Sequence, residues 1–110
     1  MSLRTELSVD GDVWVLKLIG FVDFKTSDFM WHVKNSHVLL EELIEDGVSS
    51  LVVDLSETDG IDSHGLRLLI EAHKTYSANG VKITLQKPNS HLSRLFRIMQ
   101  FDRLFVIQPE

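Results

Sequence analysis

Between Thr58 and Leu66 the chain reads Thr-Asp-Gly-Ile-Asp-Ser-His-Gly-Leu, setting a hydroxyl, Ser63, between the Asp62 carboxylate and the His64 imidazole, with Asp59 upstream and Gly65 behind. A serine beside a histidine and an acid suggests a hydrolytic triad. Adjacent residues on a turn point apart, however, and cannot share the required hydrogen bond, and the Gly-x-Ser-x-Gly elbow is missing. His32, His37, His64, His73 and His91 supply five imidazoles, yet no two have the i, i+4 spacing of a helical metal site. The segments around Gly11, Gly60 and Gly80 do not form a phosphate-cradling loop, so neither a metal nor a cofactor is expected. What remains is capping, in which Asp62 or Ser63 accepts a hydrogen bond from a first-turn N–H, and modification of an exposed hydroxyl. Capping alone leaves one feature unexplained. Asp54, Glu57, Asp59 and Asp62 place four acids in nine residues with no base among them, a self-repulsion that a turn does not require.

The elements that must carry this stretch can be read from periodicity. Leu3 to Val9 and Val13 to Ile19 form two strands around Asp10-Gly11, which supplies the positive φ of a tight hairpin. Trp14, Leu16 and Leu18 share one face of the second strand, and Val13, Val15 and Ile19 make the other apolar as well, which predicts cover on both sides. A helix is expected from Thr26 or Ser27 to about Asp46, stopped by Gly47. Leu51 to Leu55 is nearly continuous apolar sequence and reads as a central strand buried on both faces, ending at the corner in question. Leu66, Leu69, Ile70, Ala72 and Tyr76 stripe a second helix that Asn79-Gly80 stops, with His73 at the boundary of the stripe. Val81, Ile83 and Leu85 mark a strand. Leu92, Leu95, Phe96 and Met99 mark a third helix, and Leu104 to Ile107 a closing strand. The order implies an α/β domain whose later strands are parallel, and in such sheets sites gather at the carboxyl ends of strands. The loop Gly20-Phe21-Val22-Asp23-Phe24 follows a strand expected to neighbour the corner, so Asp23 can converge on it. Phe21 and Phe24 equally suit a lid on the core.

One domain over residues 1–110 is the most economical reading, since 110 residues with 44% hydrophobic content bury roughly two thirds of the unfolded surface around a single core. Eleven basic against sixteen acidic residues give a net charge of −5, which disfavours a phosphate backbone as partner. The absence of cysteine excludes disulfides and thiolate sites and fits a reducing cytoplasm. No apolar run approaches the roughly 18 residues of a membrane span, so a cytoplasmic protein without direct membrane insertion is expected.

With these elements in place the chain resembles the sulfate-transporter and anti-sigma-factor-antagonist (STAS) family, in particular its stand-alone bacterial members. The resemblance rests on Gly20-x-x-Asp23 with Thr26 opening the first helix, on Leu-Val-Val-Asp-Leu-Ser at 51–56, on Ile-Asp-Ser-His-Gly-Leu at 61–66, and on the helix and strand at 91–107. It implies a mixed, mostly parallel sheet with an N-terminal hairpin and about three to four helices. It also implies a phosphorylation switch. Ser63 would be modified by a serine kinase that is itself an anti-sigma factor, and a cognate phosphatase would reverse the change. The unmodified protein would bind that partner and free a sigma factor, acting as substrate and binding module and not as an enzyme. Phe21, Asp23, Thr26, Asp59, Asp62, His64 and Gly65 would form the docking surface, and a weak homodimer is compatible with the resemblance.

The physical logic stands beside it. A phosphate at a helix N-terminus meets the positive end of the dipole, worth about 0.3 to 1 kcal/mol, so the fold survives. The added charge of about −1.5 to −2 sits among carboxylates. One unit pair near 6 Å costs roughly 0.7 kcal/mol in bulk water and about 3 kcal/mol at an effective dielectric of about 20, so covering the loop with a partner raises the cost. Two departures from the family pattern stand out: His64 replaces a small residue often found there, and Gln100-Phe101-Asp102 replaces Ser-Gly-Leu. Other relatives serve as accessory subunits of lipid transporters, as transporter tails, or in stress-signalling assemblies, where Ser63 need not be phosphorylated.

Overall fold

Asp10 pairs with Val13 across the two-residue loop Gly11-Asp12, and Gly11 takes a φ of 62°, the positive value a primed hairpin turn demands. This hairpin opens a computed structural model that describes residues 4–22 and 43–108. Its strands are β1 (Arg4–Asp10) and β2 (Val13–Val22), followed by β3 (Ser50–Asp54), β4 (Thr58–Ile61), β5 (Lys82–Gln86) and β6 (Val106–Gln108). Helix α1 (Ser63–Ala78) lies between β4 and β5, and helix α2 (Ser90–Ile98) with a 3-10 turn (Phe101–Arg103) lies between β5 and β6. The sheet order is β1-β2-β3-β5-β6, with β4 paired to β2 off this path. Among the described residues only the β1–β2 pair is antiparallel. The helix expected from Thr26 lies mostly outside the described residues, as do His32 and His37. Its end is helical at 43–45 and closes in a Schellman arrangement, Val48 N–H donating to Leu43 O (2.9 Å) and Gly47 N–H to Ile44 O (3.1 Å).

Parallel pairing sets Trp14 beside Leu51 and Ile83, and Leu16 beside Val53 and Leu85. These six, with Leu18 and Leu55, are buried in one cluster that also takes Leu66, Leu69, Ala72 and Tyr76 from α1 and Leu92 and Phe96 from α2. The helices therefore cover one face of the sheet. On the other face Val13, Val15, Ile19 and Val52 are half-buried, which corrects the expectation that β2 and β3 are buried on both sides. Continuous apolar sequence reports the burial of neighbours as much as a second layer. The expected boundary position of His73 holds, its ring lying 5.1 Å from that of Phe105. Phe96, Phe101 and Phe105 stack at 5.2 and 5.5 Å and seal the end of the core beneath α2.

Candidate functional site

The corner is reached by one more strand than sequence periodicity shows. After β3, Asp54 Oδ1 accepts from Ser56 N–H (2.9 Å), and Thr58 N–H donates to Leu55 O (3.1 Å). The chain then re-enters the sheet as β4 beside the last residues of β2, with Gly20 opposite Thr58, Phe21 opposite Gly60 and Val22 opposite Ile61. The register shifts between Gly20 and Phe21. Thr58 anchors the strand. It is 3% exposed, and its hydroxyl donates to Leu18 O at 2.8 Å. Asn89 ties α2 to the same point, since Nδ2 donates to Thr58 O (3.3 Å) while Oδ1 accepts from Leu92 N–H (2.8 Å). The site thus stands at the carboxyl end of β4 rather than of β3, and Gly20 to Val22 are strand rather than loop.

Two glycines let these elements close. A Cβ on Gly60 would sit 2.7 Å from the Phe21 ring, so the aromatic lies over a position that only hydrogen fits. A Cβ on Gly65 would meet Ile61 Cγ2 at 2.7 Å, Val22 Cγ1 at 2.9 Å and Val22 O at 3.1 Å, so α1 starts in direct contact with the ends of β2 and β4. Asp62 N–H donates to Val22 O (3.0 Å), and its Oδ1 accepts from Gly65 N–H (2.8 Å). Of the two capping candidates Asp62 is therefore the N-cap, and Ser63 is the first residue of α1. Ser63, His64 and Asp59 are exposed, Asp62 is half-buried, Gly65 is buried, and Phe21 keeps 39% of its surface in solvent. Asp23, Phe24 and Thr26 lie outside the described residues.

The acids do not act as one group. Glu57 forms a salt bridge with Lys17 of β2, and hydrogen bonding to that carboxylate holds the Lys17 ammonium above its ordinary pKa. Asp54 is spent on its turn. Asp62 directly precedes Ser63 and Asp59 is exposed on β4, fewer unpaired carboxylates near the corner than the four counted along the chain, because folding supplies a base from forty residues upstream. Consecutive helical residues diverge by about 100° around the axis, so Ser63 and His64 point apart, and Asp62 Oδ1 is held by the cap. Among the described residues no group of three or more His, Asp or Glu is placed to hold a metal ion, and no helix is long and apolar enough to cross a membrane. Sequence reasoning missed Thr58 and Asn89. Asn89 after Pro88 is legible as a cap, but its second bond is not.

The fold recurs in known proteins. A candidate anti-sigma factor antagonist from Thermotoga neapolitana is 26% identical over 80 residues, spanning 69% of this chain and 71% of the relative. A sulfate transporter family protein from Wolinella succinogenes matches in fold with a TM-score of 0.74 at 17% identity, over 94% of this chain and 81% of that one. The Bacillus anti-sigma factor antagonist SpoIIAA, solved in unphosphorylated and phosphorylated forms, matches with TM-scores of 0.61 and 0.63 at 16% identity. These matches cover 92% and 98% of this chain and 96% and 92% of SpoIIAA. The STAS domain model spans residues 4–110, and with the hairpin, the β4 corner and the capped helix all in place the chain belongs to the STAS domain family.

Proposed function

We propose that the chain is an anti-sigma factor antagonist: a binding module, not a catalyst, switched by phosphorylation of Ser63. One observation carries this reading. Asp62 does the capping, so the adjacent hydroxyl is exposed at the start of α1 and has no structural duty to lose. A phosphate there lies at the positive end of a 16-residue helix and next to the Asp62 cap, with Asp59 exposed on the preceding strand, so the fold tolerates it while a docked partner does not. The partner is an anti-sigma factor with serine kinase activity that covers Phe21, Asp59, Asp62 and His64, with Asp23 and Thr26 completing the surface, while Gly65, being buried, shapes the start of the helix instead of meeting the partner. A phosphatase returns the protein to its binding state. The similarity to anti-sigma factor antagonists of Thermotoga and Bacillus supports this partner class, and the existence of a phosphorylated form of SpoIIAA supports the modification.

The test is to incubate the chain with the serine kinases encoded near its gene and follow intact mass and partner affinity. A gain of one phosphate, abolished by Ser63→Ala, is expected. Phosphorylation should weaken the complex by roughly a hundredfold, as about 3 kcal/mol of repulsion in a covered site dictates. Failure of every such kinase, with co-purification on a transporter ATPase, would overturn this reading in favour of an accessory-subunit role in a membrane transporter.

A further inference from the structure

We propose that β1 is the seam of a symmetric homodimer, formed by antiparallel pairing of two β1 strands about a two-fold axis through Leu7. Among the described residues the strand ends the sheet order and pairs only with β2, and all seven of its residues are exposed. The two-residue loop makes Asp10 and Val13 a hydrogen-bonded pair, so Ser8, Glu6 and Arg4 in turn exchange backbone bonds with β2. Thr5, Leu7 and Val9 then direct their N–H and C=O groups to the free edge. Their side chains lie on the core face, level with Leu18, Leu16 and Trp14, yet Leu7 and Val9 are 45% and 60% exposed. An edge with open backbone groups and uncovered apolar side chains is a template for another strand.

Charge selects both the occupant and the register. Pairing through Leu7 sets Leu7 against its own counterpart, Thr5 against Val9, Glu6 against Ser8 and Arg4 against Asp10, with the outward-facing residues matched to each other along all seven positions. Two Arg4–Asp10 pairs then flank the seam. Sliding the second copy by two residues one way opposes Glu6 to Glu6, and the other way opposes Glu6 to Asp10, and like charges directly opposite are destabilising. A slip by one residue breaks the backbone bonding. Of the registers that pair five or more residues, only the one through Leu7 therefore opposes unlike charges. The product is a continuous sheet taking β1, β2, β3, β5 and β6 from each copy. Seven residues of edge bury less than the roughly 1,200 Å² of a standard interface, so the association is weak and reversible. The seam is independent of the phosphoacceptor reading.

Sedimentation velocity of the full chain from micromolar to millimolar concentration should show a monomer–dimer equilibrium. Arg4→Asp or Asp10→Arg alone should weaken it by about tenfold, each turning two attractive pairs into two repulsive ones, while the double swap should restore it. Because the chain has no cysteine, Leu7→Cys gives an unambiguous second readout. It should cross-link its symmetry mate under mild oxidation, the Cα atoms of a hydrogen-bonded antiparallel pair being about 5.5 Å apart. Monomer throughout the range, a dimer indifferent to the charge swap, or a dimer lost instead in Ile98→Ser at the end of α2 would overturn the proposal.

Discussion

At the scale of single residues the corner divides its labour between neighbours, and the division can be measured. Asp62→Ala removes the cap on Gly65 N–H and should cost about 1 kcal/mol in urea unfolding. Ser63→Ala removes an exposed hydroxyl and should change stability by less than about 0.5 kcal/mol while abolishing phosphorylation. Equal losses in the two would mean that the hydroxyl is structural. The glycines also separate. Gly65→Ala drives a methyl into the Val22 backbone oxygen as well as two side chains and should cost about 1 to 3 kcal/mol, whereas Gly60→Ala pushes mainly on an aromatic ring with solvent to swing into and should cost less. Much of this was legible in the sequence: Asp-Ser ahead of an amphipathic stripe marks a helix start with an exposed hydroxyl, although which of Asp62 and Ser63 caps it was decided only by the fold. The pairing of Glu57 with Lys17 was not legible, because a run of acids along the chain says nothing of the base that a neighbouring strand brings beside it.

At the scale of elements, the hairpin, both described crossover helices and the parallel order follow from hydrophobic periodicity and turn chemistry. Strand β4 does not. Four residues containing Asp-Gly carry no alternation and read as a turn, and only the bond from Thr58 to Leu18 O and the pairing with β2 make them sheet. The same contact network couples elements distant in sequence. Asn89 caps α2 with its oxygen and holds the Thr58 carbonyl with its nitrogen, two jobs that substitution can part. Asn89→Asp keeps the capping oxygen and loses the donor, and Asn89→Ala loses both. The alanine variant should fall by about 1 to 2 kcal/mol and the aspartate variant by clearly less. Identical losses would show that the link to β4 carries the energy and the cap does not.

At the scale of the whole molecule, strands and helices share one buried cluster, so unfolding should be a single cooperative event that any deeply placed reporter can follow. Tyr76 is such a reporter, being the only tyrosine of the chain and fully buried on the core side of α1. Burial raises the pKa of its phenol well above the ordinary value near 10, because the low-dielectric core opposes the phenolate. In the unfolded chain that phenol ionises at about its ordinary value, so the unfolded state gains a stabilising ionisation that the folded state refuses. The contribution is therefore intact below about pH 10 and is lost progressively as pH rises above it, by about 1.4 kcal/mol for each further unit. Lys17, raised by Glu57, acts in the same direction, so Tyr76→Phe should reduce the alkaline loss without abolishing it. Phenolate absorbance supplies the independent check. On an alkaline titration it should rise together with the loss of helical circular dichroism, since the ring ionises only when the core opens. A phenolate signal that grew near pH 10 while the helices stayed intact would show that the ring is reached by solvent in the folded chain and that the core is not the single unit its contacts describe.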